Sequence, residues 1–210
     1  FKDLDAAITW HPGYTNEVTT GSNAACLQMA YEFAGVAAHA AGNPWDGRSA
    51  LDGAEMMNMG VQFLREHMEP KCSIHYSIAD AGGISPNVVQ PKAKLIYMVR
   101  AETVRKAKAL LARVNDIAKG AALMSGTTVT WHQLDGTSDT LSNTVLEELL
   151  YNNLLEAPMP EYTQEEWAFA ADLRKTYPHE GLPGENVDTN PVLRKQIAAL
   201  SDKGQKDIND

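Results

Sequence analysis

His39 lies between two pairs of alanines, Ala37–Ala38 and Ala40–Ala41, and a Gly/Pro turn follows through Gly42, Pro44 and Gly47. Side chains this small let a substrate, or another chain's backbone, come close to the imidazole. A neutral imidazole can donate one N–H to a developing oxyanion. A surface or capping histidine would have the same neighbours, so spacing alone leaves both roles open.

Three more residues are of a type and in a place that could do chemistry. His11 closes a strand-like segment in the run TWHP. A strand end fixes the backbone and leaves the ring free to bind a metal, although a hydrogen-bonded turn histidine is the commoner use of such a position and no HExxH-like spacing accompanies it. Asn87 follows Pro86 in the turn GGISPN. It is either a turn asparagine or an amide that binds a carboxylate or carbonyl. Arg100 ends the apolar run Leu95–Val99, either as a solvated strand end or as a two-pronged partner for a carboxylate. The remaining histidines read as structural: His75 and His132 in strands, His67 near a helix C-terminus and His179 in a loop. Met56, Met57 and Met59 read as helix packing.

The elements that must position these residues follow from hydrophobic period. Leu4, Ala6 and Ile8 alternate as in a strand over 4–10, and 13–24 has loop composition. Residues 26–34 predict a strand with Met29, Tyr31 and Phe33 on one face. After the 40–47 loop, Leu51, Ala54, Met57, Val61 and Leu64 give one buried stripe on a helix from Ser49 to Met68. Ile74, Tyr76 and Ile78 predict a strand, 82–87 a turn and 93–100 a further strand. Val104, Ala107, Leu111, Val114, Ala118 and Ala121 line a second helix over 103–124. Residues 127–133 are again strand-like. The order from 26 to 134 is βαββαβ, a ferredoxin-like α+β sandwich with a four-stranded antiparallel sheet and two helices on one face. Beyond it, 143–157 predicts a helix with Val145, Leu149 and Leu150 on its apolar side. Thr163 and Glu166 have capping-box spacing for a helix to about Thr176, 178–190 is loop, Pro191 opens a helix over 191–201, and a polar tail follows.

Composition narrows the function class. The 210-residue chain carries a formal charge of −9, which argues against nucleic acid because phosphate binding needs clustered Lys and Arg. No apolar run approaches the ~20 residues that span a bilayer. Two well-separated cysteines, Cys26 and Cys72, make neither a disulfide framework nor a four-thiolate metal site, which fits a reducing, cytoplasmic setting. The chain opens on FKDLDAAITWHP with no visible signal peptide, and reads as a segment of a longer protein.

Four blocks resemble the M20 family of metallopeptidases and amidohydrolases: DAAITWHP (5–12), GVAAHAAGNPWDGRSALDGAEMMNMG (35–60), HYSIADAGGISPNVVQPKAKLIYMVRA (75–101) and AKGAALMSGTTV (118–129). The resemblance implies a zinc-peptidase-like α/β catalytic domain holding two divalent metal ions, zinc or manganese, with a small dimerising lid inserted into it. Residues 26–134 would be the lid, and 1–25 and 135–210 pieces of the catalytic domain. It further implies that His11 is a metal ligand and that His39 reaches a partner's active site as the oxyanion donor. Asn87 and Arg100 would bind the substrate's carboxylate. The implied reaction is hydrolysis of the amide bond of a small N-acyl amino acid such as p-aminobenzoyl-glutamate, in a homodimer or in a heterodimer with a related hydrolase chain. The family's other metal ligands have no counterpart in these 210 residues, and the Glu147–Glu148 pair falls on a helix after the lid. A catalytic zinc takes about three protein ligands, so this segment alone is expected to be inactive. Two rivals fit the same residues: a non-catalytic dimerisation module, and a peptidase acting on short peptides or N-acetylated amino acids.

Overall fold

The computed structural model of the chain describes residues 3–11, 17–157, 161–176 and 205–207. Period-two alternation over Ala25–Ala34 (β2) and Lys92–Ala101 (β4) gives two ten-residue strands that pair antiparallel along their full length, from Ala25 opposite Ala101 to Ala34 opposite Lys92. Ser73–Asp80 (β3) pairs with β4, and Thr128–Thr137 (β5) pairs with β2. The sheet order is β3-β4-β2-β5. With helices Ala50–Arg65 (α1) and Val104–Ser125 (α2) as the crossovers, this is the expected α+β sandwich.

Local chemistry sets the helix limits. Ser49 Oγ accepts the Asp52 N–H at 3.0 Å to cap α1, and Thr103 Oγ1 accepts the Lys106 N–H at 3.3 Å to cap α2. Gly126, at φ 65°, ends α2 in the left-handed conformation that lacks a Cβ penalty. The stripes read from the sequence face the sheet: Ala54, Met57, Val61 and Leu64 on α1, and Ala107, Val114, Ala118 and Ala121 on α2, are buried. Met56 and Met59 depart from the expected packing role. They stand 37% and 58% exposed, because their positions on α1 point away from the stripe that Met57 shares.

A row of aromatic rings crosses all four strands beneath the helices. Tyr76 stacks on Tyr97 with centroids 5.3 Å apart, Tyr97 meets Tyr31 edge-on at 5.5 Å, and Tyr31 leans on Trp131 at 6.0 Å. Each fully buried tyrosine reaches one helix. Tyr97 donates to Asn58 Oδ1 of α1, and Tyr31 donates to Asn115 Oδ1 of α2, both at 2.6 Å. Burial pushes both phenols well above their ordinary range, so both remain protonated donors.

The chain divides into two compact units, Ser22–Thr140 and Phe1–Gly21 with Leu141–Asp210. The second unit departs further from the sequence reading. Residues 4–10 form no strand: alternation is present but no neighbouring strand takes up their hydrogen bonds, and Leu4, Ile8 and Trp10 are exposed. Instead Glu17–Thr19 (β1), within the expected loop, pairs with Gln205–Asp207 (β6) in the expected tail. Thr144–Glu156 (α3) and Gln164–Arg174 (α4) form where predicted, the latter with the Thr163/Glu166 capping box. Neither helix buries a residue: Val145 and Leu149 are exposed and Leu150 only half-buried. His179, the 178–190 loop and the 191–201 helix lie outside the described residues. Among the described residues no helix is long and apolar enough to cross a membrane.

The Tyr97–Asn58 bond is buried on both sides, so removing only the hydroxyl strands an amide oxygen without water. Tyr97→Phe is expected to lower the unfolding free energy of the 22–140 unit by about 1–3 kcal/mol in chemical denaturation, with Tyr97→Phe/Asn58→Leu recovering part of the loss.

Candidate functional site

The β2–β4 register brings the segment leaving β2 and the segment entering β4 to one end of the sheet. There they lie side by side. Gly35 N–H donates to Pro91 O at 2.7 Å, Val89 N–H to Ala38 O at 2.9 Å, and Ala40 N–H to Asn87 O at 2.9 Å. His39 and Val88 form an antiparallel bridge at the centre of this contact. His39 and Asn87, far apart in sequence, therefore share one ledge. The Asn87 side-chain amide is exposed and has no hydrogen-bond partner among the described residues.

The imidazole of His39 is held by its own turn. The backbone N–H groups of Gly42 and Ala41 both point at Nδ1, at 3.0 and 3.2 Å. Nδ1 is thus the acceptor nitrogen. A neutral ring whose Nδ1 accepts carries its proton on Nε2, which becomes an N–H donor directed away from the turn. His39 is exposed, so that donor is accessible.

Several residues that sequence reasoning passed over hold this turn. Val36 and Arg48 exchange backbone hydrogen bonds at 2.8 and 2.9 Å, closing the 36–48 loop at its base. Arg48 Nη1 also donates to the carbonyls of Trp45 and Gly47. Within the loop, Asn43 Nδ2 donates to Asp46 Oδ2 at 3.0 Å, and Asn43 N–H closes on His39 O at 3.0 Å. A Cβ on Gly35 would collide with the Arg48 carbonyl, and one on Gly47 would crowd Val89 and Ala38. The usable sequence signal was the cluster Gly35, Gly47 and Arg48 flanking the histidine. Its meaning depends on pairings between segments that spacing does not reveal.

Arg100 is elsewhere. It lies opposite Cys26 and Ser73, at the far end of β4 from Lys92. At ~3.3 Å per residue, this is about 26 Å along the strand from the His39 end. It is exposed, its Nη2 rests 3.3 Å from Met98 Sδ, and it has no carboxylate partner among the described residues. By alternation it shares the helix-free face of the sheet with Gln28, Ala30, Ile96 and Met98. On that face, at the His39 end, a concavity of about 350 Å³ is lined by Glu32, Asp80, Lys92, Lys94, Thr128 and Thr130. Lys94 bonds Glu32 at 2.8 Å and holds its carboxyl below the usual range. One sheet face bounds the hollow, whereas small-ligand sites bury most of their ligand.

His11 lies in the other unit, exposed and outside any strand. Among the described residues no three His, Cys, Asp or Glu side chains converge as a metal-ligand set. The described residues therefore do not fit a metal pair by themselves. Cys26 and Cys72 are free thiols, and burial raises the Cys72 thiol.

The turn geometry predicts a definite tautomer. Nitrogen-15 correlation spectra of the His39 ring are expected to report a protonated Nε2 and an unprotonated, hydrogen-bonded Nδ1 at neutral pH. A ring protonated on Nδ1 would contradict the arrangement.

Comparison with known proteins matches residues 23–126 to the M20 peptidase dimerisation domain. The chain is 43% identical over 176 residues to one of the component chains of the p-aminobenzoyl-glutamate hydrolase of Escherichia coli, covering 84% of this chain and 37% of that protein. It is 32% identical over 129 residues to mouse Xaa-Arg dipeptidase, covering 61% of this chain and 30% of that one. The crystal structure of aminobenzoyl-glutamate utilization protein from Klebsiella pneumoniae superposes with a TM-score of 0.58 at 23% identity, over 70% of this chain and 37% of that structure. The chain thus spans about a third of the length of the curated relatives it matches. The matched residues hold β2, α1, β3, β4 and α2 of the βαββαβ unit, with β5 following directly; the chain belongs to the M20 family and carries that family's dimerisation domain.

Proposed function

We propose that this chain is the lid-centred part of a metal-dependent amidohydrolase that cleaves N-acyl amino acids of the p-aminobenzoyl-glutamate type, in the cytoplasm. The observation that carries this reading is the pair of backbone N–H groups on His39 Nδ1. Because they fix Nε2 as the outward donor, the ring is ready to hydrogen-bond a carbonyl oxygen as it becomes an oxyanion. Asn87, expected with Arg100 at the carboxylate, lies on the His39 ledge at the opposite end of the sheet from Arg100, so it is assigned here to the carbonyl, as an amide donor beside His39. Arg100 suits the carboxylate of the amino-acid half of the substrate, which it can grip in a two-pronged pairing.

Geometry argues that these groups meet only across two chains. A substrate of this size cannot touch His39 and Arg100 of one lid when about 26 Å of strand separates them. We infer that one molecule contributes His39 and Asn87, and its neighbour contributes Arg100. When water adds to the amide carbonyl, His39 and Asn87 stabilise the charge on oxygen. The C–N bond then breaks and the amino acid departs with a proton, its carboxylate still on Arg100. His11 is proposed as one ligand of a zinc or manganese pair whose other ligands come from polypeptide beyond this chain.

The same reading locates the dimer contact. Both β3 and β5 are sheet edges. Both edges carry one register shift, β5 opposite Gln28/Met29 and β3 between Ile78 and Asp80, so composition separates them: β5 is largely polar, which discourages edge pairing. β3 leaves Tyr76 and Ile78 exposed at its rim. We infer that a second copy, or a related hydrolase chain, pairs there. A short-peptide substrate is the second reading, favoured by the 32% identity to Xaa-Arg dipeptidase.

In the full-length enzyme, His39→Ala is expected to lower kcat about 10²–10³-fold, the usual cost of one oxyanion donor. Mixing inactive His39→Ala with inactive Arg100→Ala should restore up to about a quarter of wild-type activity, since half the dimers would then hold one intact composite site. No recovery after the protomers have exchanged would place all three groups in one chain. The 210-residue chain should sediment as a dimer at tens of micromolar, and Ile78→Lys should weaken that dimer roughly tenfold or more; an unchanged dimer would move the contact off β3.

A further inference from the structure

Trp45 is 72% exposed and makes no ring contact or indole hydrogen bond among the described residues. It occupies the middle of the short 3₁₀ turn Pro44–Asp46, six positions after His39. The backbone of its turn is tied down on every side. Arg48 ties down the Trp45 carbonyl at 3.1 Å, Gly47 N–H closes on Pro44 O at 3.0 Å, and Asn43 and Asp46 are joined through side chain and backbone. Asn43 N–H, bonded to His39 O, makes the Trp45 turn and the His39 turn one rigid piece. Wherever His39 goes, Trp45 goes with it.

We propose that Trp45 is a specificity-determining residue that receives the aromatic ring of the substrate's acyl group. This rests on the amidohydrolase reading above. The acyl ring of an aroyl-amino acid is bonded directly to the carbonyl that His39 addresses, so the two must be met by neighbouring groups. The carboxylate half lies on the other side of the amide, toward Arg100. An indole offers an aryl ring a large flat face and an offset or edge-on contact that a methyl group cannot use. His39 reads the carbonyl; Trp45 reads what is attached to it.

The test is the kcat/KM of the full-length enzyme on p-aminobenzoyl-glutamate divided by that on N-acetyl-glutamate. Trp45→Leu should lower this ratio about tenfold or more, and Trp45→Phe should keep most of it. Parallel sedimentation should find both variants dimeric. A ratio unchanged in Trp45→Leu overturns the assignment, and a dimer that falls apart makes Trp45 an interface residue and overturns it too, either outcome leaving the amidohydrolase reading intact. A wild-type enzyme that cleaves neither substrate overturns that reading and Trp45's role with it.

Discussion

The antiparallel register between β2 and β4 is the constraint on which the rest depends. Because Ala34 faces Lys92, the chain leaves β2 and enters β4 at the same end of the sheet, and two loops from different parts of the sequence have no room to avoid each other. Their contact builds the ledge that carries His39 and Asn87. The same register puts Arg100 opposite Cys26, at the other end. A slip of two residues would keep every side chain on its proper face but would pull the Gly35–Pro91 and Ala38–Val89 bonds apart. The aromatic row guards against such a slip, since Tyr31 and Tyr97 must each meet one asparagine on one helix.

Much of the lid was legible in the sequence, and the reasons are physical. Alternation in 26–34 and 93–100 and the stripes of the two long helices have one outcome when a single face must be buried. The helix starts expected at Ser49 and Thr103 hold, because both side chains cap their helices locally. What failed was nonlocal. Residues 4–10 alternate as a strand should, yet a strand exists only with a partner, and none was specified. β1 and β6 pair through backbone groups, which every residue carries, so their composition gave no sign. The apolar side expected on α3 forms but stands largely exposed, because periodicity says which side would be buried and not what covers it.

The candidate residues divide in the same way. His39 stood out by its small neighbours, and Asn87 by its turn, but their adjacency is a product of tertiary pairing. Arg100 was identified by its place at a strand end. Its separation from His39 follows only from knowing which way β4 runs relative to β2. Nothing in local spacing singles out Arg48, whose guanidinium holds the carbonyls of Trp45 and Gly47 only because the loop closes back on itself. Under the proposed function this division has a purpose: a dimerisation domain can leave parts of one site on different molecules.

The closed base of the 36–48 loop has a thermodynamic consequence. Fixing a residue's backbone costs roughly 1–2 kcal/mol of conformational entropy, and a loop that waited for a partner before ordering would subtract that cost from association. Here Gly35, Arg48 and the ledge partners of 87–91 settle the loop as the domain folds. In the proposed dimer two chains then meet as preformed bodies, and the free energy of their contact is left to hold them together.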